Sequence, residues 1–184
     1  QWDSLIIRGH DSPAMLISYS DADHANCKET GRSFTGYIIK LGDDTINYGC
    51  HRQRIPAHSS TESEIMAVDS CVRDLQYIRQ LVHAMGGPNY EQTALPVRVD
   101  NQQVIPIAEG NPIQLGRNRH MHARYWYYVY VQEEGEIKMG KVNSEENIAD
   151  ILVTFKTPKN FHYLVQMAKG YVKIPSHIKK KKGC

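Results

Sequence analysis

The sequence lacks the features that mark several protein classes. Its 184 residues contain no apolar run near the ~18 residues that cross a bilayer. Its four cysteines form no CxxC pair and follow no secretory hydrophobic segment, which favours a reduced, intracellular setting over a disulfide framework. The formal net charge is only +2, so bulk charge gives no argument for nucleic acid, and no internal repeat is present. The length of the chain favours a single domain with a hydrophobic core of its own.

Five segments have the composition of β-strands. Residues 14–20 form an apolar run, and FTGYIIKL (34–41) and TINYGCH (45–51) follow it after short polar turns. These three predict an antiparallel meander. LPVRVD (95–100) and GEIKMGKV (135–142) predict a fourth and a fifth strand, each separated from its predecessor by helical sequence.

The strongest helix signal runs from Ser59 to Gly87, where apolar residues recur at intervals of three and four. Further helices are predicted in RHMHARYWYYVYVQEEG, SEENIADILV and FHYLVQMA, and a short one in NQQVIPIAEGN, where Pro106 interrupts it. The order β-β-β-α-β-α-α-β-α predicts an α/β fold: a five-stranded mixed sheet, with a three-strand antiparallel meander plus parallel strands, flanked by helices.

Four acidic residues stand out by position. Asp21 follows the first strand, Glu64 lies near the start of the long helix, Asp100 ends the fourth strand and Asp150 lies in a late helix. Each alone would more often be a solvated turn or helix residue, so the signal lies in their order. If strands one and four are parallel neighbours, all four can meet at one sheet edge.

Four clustered carboxylates repel one another unless cations offset the charge, since like charges ~4 Å apart repel by ~4 kcal/mol at an effective dielectric near 20. Hard oxygen ligands suit Mg²⁺. Two such ions ~3.5–4 Å apart stabilise the attacking and leaving oxygens of an in-line phosphodiester displacement. This interpretation predicts two Mg²⁺ ions, with Mn²⁺ able to substitute, and hydrolysis without a side-chain nucleophile.

Six blocks carry a family resemblance: SYSDADHANC, GRSFTGYIIKLG, SSTESEIMAV, VDNQQVIPIAEGNP, RHMHARY and NSEENIADIL. In this order they resemble the ribonuclease H domain of copia-type (Pseudoviridae) retrotransposon Pol polyproteins. The resemblance implies the ribonuclease H fold and Mg²⁺-dependent hydrolysis of the RNA strand of RNA–DNA hybrids during reverse transcription. It matches Asp21, Glu64, Asp100 and Asp150 to the family's four catalytic, metal-binding acids.

The resemblance also implies the setting of the domain. Residues 1–13 would be a linker from the upstream polyprotein region, 14–155 the ribonuclease H domain, and 156–184 a C-terminal extension with a basic tail. The expected partners are an RNA–DNA hybrid and the reverse transcriptase domain of the same polyprotein. The expected location is a cytoplasmic virus-like particle or the nucleus. The sequence departs from the family at His24, where tryptophan is usual, and in ADILVTF, where ADILTK is usual.

Candidate substrate contacts are of two kinds. Asn101 and Gln102, beside Asp100, carry neutral groups suited to the ribose 2′-hydroxyl that separates RNA from DNA. A second group lies before and within the second long helix and suits phosphate contacts, although a solvated basic helix end is an equal alternative. It contains Arg117, Arg119, His120 and Arg124.

Two other functions compete with hybrid cleavage. A strand-transfer integrase shares the metal chemistry, and Asp100 and Glu136 enclose 35 residues, a spacing seen in such enzymes. Glu136, however, lies at a predicted strand rather than on a helix. The second alternative is a non-catalytic or domesticated ribonuclease H-like module that binds nucleic acid or protein.

Overall fold

The computed structural model describes residues 14–88, 90, 93–109 and 119–172. For residues 107, 108 and 119–125 it describes the backbone only. The predicted five-stranded mixed sheet is confirmed, with strand order β3-β2-β1-β4-β5. β1 pairs antiparallel with β2, and β2 with β3, whereas β1–β4 and β4–β5 are parallel. The strands are β1 (Leu16–Asp23), β2 (Phe34–Leu41), β3 (Asp44–Arg52), β4 (Leu95–Val99) and β5 (Ile137–Lys141).

In the described residues, four α-helices connect and cover these strands. Pro106 lies inside the short helix α2. No helix in the described part of the chain is long and apolar enough to cross a membrane. The helices are α1 (Ser60–Ala84), α2 (Val104–Ala108), α3 (Arg119–Glu133) and α4 (Pro158–Ala168).

Helix α1 begins where the sequence predicts. The Ser59 hydroxyl accepts a hydrogen bond from the Glu62 amide, and the Glu62 carboxylate accepts one from the His58 amide, so side chains satisfy free N–H groups at the helix start. Ile65, Val68 and Leu75 are then buried against one face of the sheet. This apolar packing fixes the first turns of α1, which carry Glu64.

The prediction of one continuous helix over SEENIADILV is wrong. The segment forms two 3₁₀ turns, Ser144–Glu146 and Ile148–Leu152, separated by Asn147 in an extended conformation. The Asn147 side chain accepts a hydrogen bond from the Ala149 amide and so begins a new turn rather than continuing a helix. Asp150 therefore lies on a short 3₁₀ turn, which we call the Asp150 turn (Ile148–Leu152).

A second, smaller core lies on the opposite face of the sheet. It joins Tyr19 and Ile38 to the Asp150 turn and to Leu164 and Met167 of α4. The C-terminal end of α4 meets buried polar groups of the sheet: Lys40 Nζ donates to the Met167 carbonyl, and the Thr45 hydroxyl to the Ala168 carbonyl. These bonds satisfy carbonyl groups that a helix end leaves without partners.

Candidate metal centre

Two strands bring two aspartates to the same edge of the sheet. β1 and β4 are parallel, with Ser18 opposite Val97 and Tyr19 opposite Arg98, so their C-terminal ends lie side by side. Asp100 directly follows β4, whereas Asp21 lies inside β1, two residues before its end rather than after it. Glu64 reaches the same edge from the start of α1.

Asp21, Glu64 and Asp100 each offer a carboxylate oxygen, and the three oxygens lie within 4.8 Å of one another. Asp21 and Glu64 are each only 6% exposed. Burial, with the negative charges of Asp100 and the other acids, raises the pKa of Asp21 well above its ordinary range. Burial, followed by the negative charges of Asp21 and Asp100, likewise raises the pKa of Glu64. A bound cation would remove this penalty.

One further observation tests whether these residues suit a metal ion. Glu64 Oε2 is buried without a hydrogen-bond partner among the residues that the structure describes. A buried acceptor is normally satisfied, and a divalent cation would satisfy this one. Three hard oxygen ligands from separate elements suit a hard divalent cation. The cluster is therefore compatible with divalent metal binding.

Asp150 approaches this group from the other face of the sheet. Its carboxyl group lies close enough to Asp21 for its negative charge to help raise the pKa of Asp21. Its Oδ2 forms an ion pair with Lys156 Nζ. Asn147 fixes the Asp150 turn to β1, because its amide nitrogen donates to the Ser20 carbonyl over 3.1 Å. All four predicted acids are thus brought to one edge, three in tight mutual spacing and Asp150 beside Asp21.

Asn147 and Lys156 were not predicted as site residues. Asn147 is 0% exposed and is the N-cap of the Asp150 turn. The only sequence signal for it is that asparagine is a common capping residue. Lys156 follows the Asp150 turn, where a lysine is usually solvated, so no sequence signal pointed to it.

The predicted substrate contacts have different outcomes. Asn101 uses its side-chain oxygen to accept from the Gln103 amide, and Gln102 is exposed next to it. The Gln103 side chain contacts the Thr61 hydroxyl, which links the loop after β4 to the start of α1. Arg117 lies outside the described residues, as do the side chains of Arg119, His120 and Arg124, so their roles stay predictions.

Glu136 is held away from this centre. It accepts from Arg79 over 3.0 Å and from Gln76 over 2.7 Å, both on α1. Its carbonyl bonds the amide of Leu95, which begins β4, whereas Asp100 follows the end of that strand. The two acids lie at opposite ends of β4, a separation of roughly 16 Å for five strand residues. The Asp100–Glu136 pairing required by the integrase interpretation is absent.

Comparison with solved structures defines the class of fold. The domain superposes on LC11-RNase H1, isolated from compost, with a TM-score of 0.57 and 17% identity, covering 76% of this chain and 93% of that one. A second structure of LC11-RNase H1, in complex with an RNA/DNA hybrid, gives a TM-score of 0.54 and 18% identity over 75% of this chain and 93% of that one. The chain has the ribonuclease H fold.

Sequence comparison points to a narrower group. The retrovirus-related Pol polyprotein from transposon TNT 1-94 of Nicotiana tabacum is 27% identical over 158 residues, which is 86% of this chain and 11% of that protein. The corresponding polyprotein from transposon RE1 of Arabidopsis thaliana is 28% identical over 137 residues, 74% of this chain and 9% of that protein. No protein-family model matches.

The chain thus spans about a tenth of the length of these curated relatives. Their similarity over most of this chain, together with the fold, confirms the predicted resemblance to the ribonuclease H domain of a retrotransposon Pol polyprotein.

Proposed function

We propose that this domain is a divalent-metal-dependent endonuclease that hydrolyses the RNA strand of RNA–DNA hybrids. The observation that carries the proposal is the close group of Asp21, Glu64 and Asp100 oxygens, with Asp21 and Glu64 buried, at the edge of a ribonuclease H fold. Such a group is unfavourable in water-poor surroundings unless a cation joins it. The solved LC11-RNase H1 complex with an RNA/DNA hybrid supports the choice of substrate.

In this proposal Asp21, Glu64 and Asp100 hold Mg²⁺, and Asp150 joins them from the Asp150 turn. Bound there, such ions would supply charge stabilisation at the attacking and leaving oxygens of a phosphodiester displacement. Asp21 and Glu64 are buried, so their carboxylates are oriented by β1 and α1 before substrate arrives. Pre-oriented ligands lose little further freedom on binding.

Neutral polar groups beside the centre suit the ribose. Asn101 fixes the loop after Asp100 through its bond to the Gln103 amide, and Thr61 meets the Gln103 side chain. We propose that Asn101 and exposed Gln102 contact the 2′-hydroxyl of a bound RNA strand, the group that distinguishes RNA from DNA. Arg117, Arg119, His120 and Arg124 are proposed phosphate contacts.

The proposed biological setting follows from the relatives. Because the curated matches are transposon Pol polyproteins, we propose that the domain acts beside a reverse transcriptase of the copia type in a retroelement. Removal of the RNA template would then be its task, in a virus-like particle or the nucleus.

The test is cleavage of an end-labelled RNA–DNA hybrid with Mg²⁺, with Mn²⁺ and with EDTA. Duplexes of RNA alone and of DNA alone serve as substrate controls. We expect cleavage only of the hybrid and only with a divalent ion. Asp100→Asn should abolish it, because one metal ligand loses its charge.

Asp23→Asn is the matched control, because Asp23 lies on the same strand as Asp21 but bonds Asn26 instead. It should retain cleavage. Hybrid binding without cleavage in every metal would instead favour the non-catalytic module.

A further inference from the structure

We propose that Lys156 is the resident cation of the carboxylate cluster in the metal-free protein, and that a divalent ion must displace it from Asp150. The inference rests on the proposed function, because it assumes that the cluster binds a divalent ion. It adds a residue that sets the affinity for that ion. Lys156 would act through Asp150 and not through the substrate.

The contact itself is an ion pair between Lys156 Nζ and Asp150 Oδ2. The Asp150 side chain is 6% exposed and that of Lys156 is 24% exposed. The same Asp150 carboxyl group adjoins Asp21, which belongs to the tight group of three acids. The ammonium group therefore places a positive charge on the acid that adjoins this group.

The chain around Lys156 is fixed at both ends. The amides of Val153 and Thr154 bond the Asp150 carbonyl, and the Thr157 hydroxyl accepts from the Asn160 amide at the start of α4. Val153 also packs onto Gly36 of β2, where a Cβ would lie 2.8 Å from Val153 Cγ1. The backbone thus holds Lys156 beside Asp150, whereas the partly exposed side chain can move into solvent.

Charge repulsion makes the ammonium group and the divalent ion compete for Asp150. An ammonium group and a divalent ion on the same carboxylate repel, and at ~5 Å even full water screening leaves an unfavourable interaction equivalent to about tenfold in affinity. A neutral side chain of similar length removes this competitor. Lys156→Met should therefore bind the divalent ion about tenfold or more tightly than the wild-type domain.

The binding experiment titrates the metal-free domain with Mn²⁺, followed by calorimetry and by the electron paramagnetic resonance of free Mn²⁺. Lys156→Arg keeps the charge and should remain near wild type. Lys138→Met is the matched control: Lys138 is an exposed lysine of β5 opposite Pro96, at the end of the sheet away from Asp100. It should leave the affinity unchanged. Equal or weaker binding by Lys156→Met, or an equal gain in Lys138→Met, would overturn the inference.

The effect of metal on the melting temperature separates the two roles, because the contribution of a purely structural ion pair would not depend on metal. In EDTA, Lys156→Met should melt below wild type, because Asp150 loses its counter-charge. In saturating Mg²⁺ this deficit should vanish or reverse, since the metal replaces the ammonium group. A deficit of the same size in both conditions would show a structural pair and overturn the inference.

The two proposals fail in different ways. If neither wild type nor Lys156→Met binds Mn²⁺, the proposed metal centre and the inference fall together. If wild type binds Mn²⁺ and Asp100→Asn does not, the metal centre stands, and only the Lys156 comparison decides the inference. Binding by Lys156→Met but not by wild type would be the strongest support, because the lysine would then exclude the ion.

Discussion

The two faces of the sheet carry their carboxylates on very different supports. On one face, Glu64 lies on a 25-residue helix whose apolar side packs into the larger core. On the other, Asp150 lies on a five-residue 3₁₀ turn, held by the Asn147 amide and beside the smaller core. Many apolar contacts fix Glu64, whereas a few polar bonds and a small apolar cluster fix Asp150.

This difference indicates that Asp150 can move more readily than the other three acids. Local openings in proteins occur first where few buried contacts hold a segment. We expect perturbations of the α1 face to lower the stability of the whole domain. Perturbations of the other face should weaken metal binding through Asp150 with a smaller loss of stability.

The largest expected effect comes from truncating one leucine in each core. Leu75 of α1 is 0% exposed and Leu164 of α4 is 1% exposed. Leu75→Ala should lower the free energy of unfolding by about 2–5 kcal/mol, as large-to-small changes in well-packed cores do. Leu164→Ala should lose less, because α4 can settle onto its smaller cluster. Urea denaturation measures both, and an equal or larger loss for Leu164→Ala would contradict the contrast between the faces.

The second effect is a pH dependence of the metal-free protein. The folded state raises the pKa of Asp21 and Glu64 above their ordinary values of 3.8 and 4.5, mainly through burial. The native state therefore holds protons that the unfolded chain has released. The contribution of Asp21 and Glu64 to the free energy of unfolding is fully present below about pH 4. It falls as the pH rises, by up to about 1.4 kcal/mol per pH unit for each proton that the native state retains.

Urea denaturation in EDTA between pH 5 and pH 8 measures this slope. Saturating Mg²⁺ should flatten it, because the metal stabilises the ionised carboxylates. Asp100→Asn should also reduce it by removing a repelling charge. A metal-free stability that stays constant or rises over this range would mean that the acids are not coupled as described.

The third comparison uses two glycines on the neighbouring strands β2 and β3. The Cβ positions of these glycines point to opposite faces of the sheet. A Cβ at Gly36 would lie 2.8 Å from Val153 and 3.0 Å from the Ala149 carbonyl, on the Asp150 side. A Cβ at Gly49 would meet the Tyr37 ring, on the α1 side. Each change to alanine should lower the free energy of unfolding by about 1–3 kcal/mol through overpacking.

Only Gly36→Ala should also weaken Mn²⁺ binding, because it pushes the Asp150 turn away from the sheet. Titration of both variants at equal folded fraction tests this. Equal affinities for the two variants would show that the position of Asp150 does not depend on the contact with β2.

The smallest expected effect is at Asn147. Asn147→Ser replaces the side-chain amide with a hydroxyl that can accept from the Ala149 amide but is too short to donate to the Ser20 carbonyl. Leaving that buried carbonyl without its donor should cost about 1–2 kcal/mol. Mn²⁺ affinity should fall as well, because the bond between β1 and the Asp150 turn is lost. Asn143→Ser, at an exposed asparagine bonded to Glu146, is the control and should change neither quantity.

Much of this arrangement could be predicted from the sequence because its determinants are local. The cap at Ser59 and the apolar spacing from Ile65 to Leu75 define α1 and so place Glu64. The strand signals give the sheet, and the parallel pair β1–β4 brings Asp21 and Asp100 together.

The support of Asp150 could not be predicted because it is set by tertiary contacts. NIADIL has the apolar spacing of a helix, but Asn147 is held extended by its bond to the Ser20 carbonyl, 127 residues away in sequence. The ion pair between Lys156 and Asp150 likewise depends on the tertiary fold, in which Val153 packs on Gly36. Neither partnership leaves a periodic pattern along the chain.

The burial of Lys40 has a practical consequence for anyone who shortens this chain. Its ammonium group is 0% exposed and donates to the Met167 carbonyl in the last turn of α4. A recombinant fragment stopped at residue 155, the predicted end of the domain, would delete that acceptor and the apolar cover over Tyr19 and Ile38. Fragments intended for crystallisation or assay should therefore extend at least through Lys169.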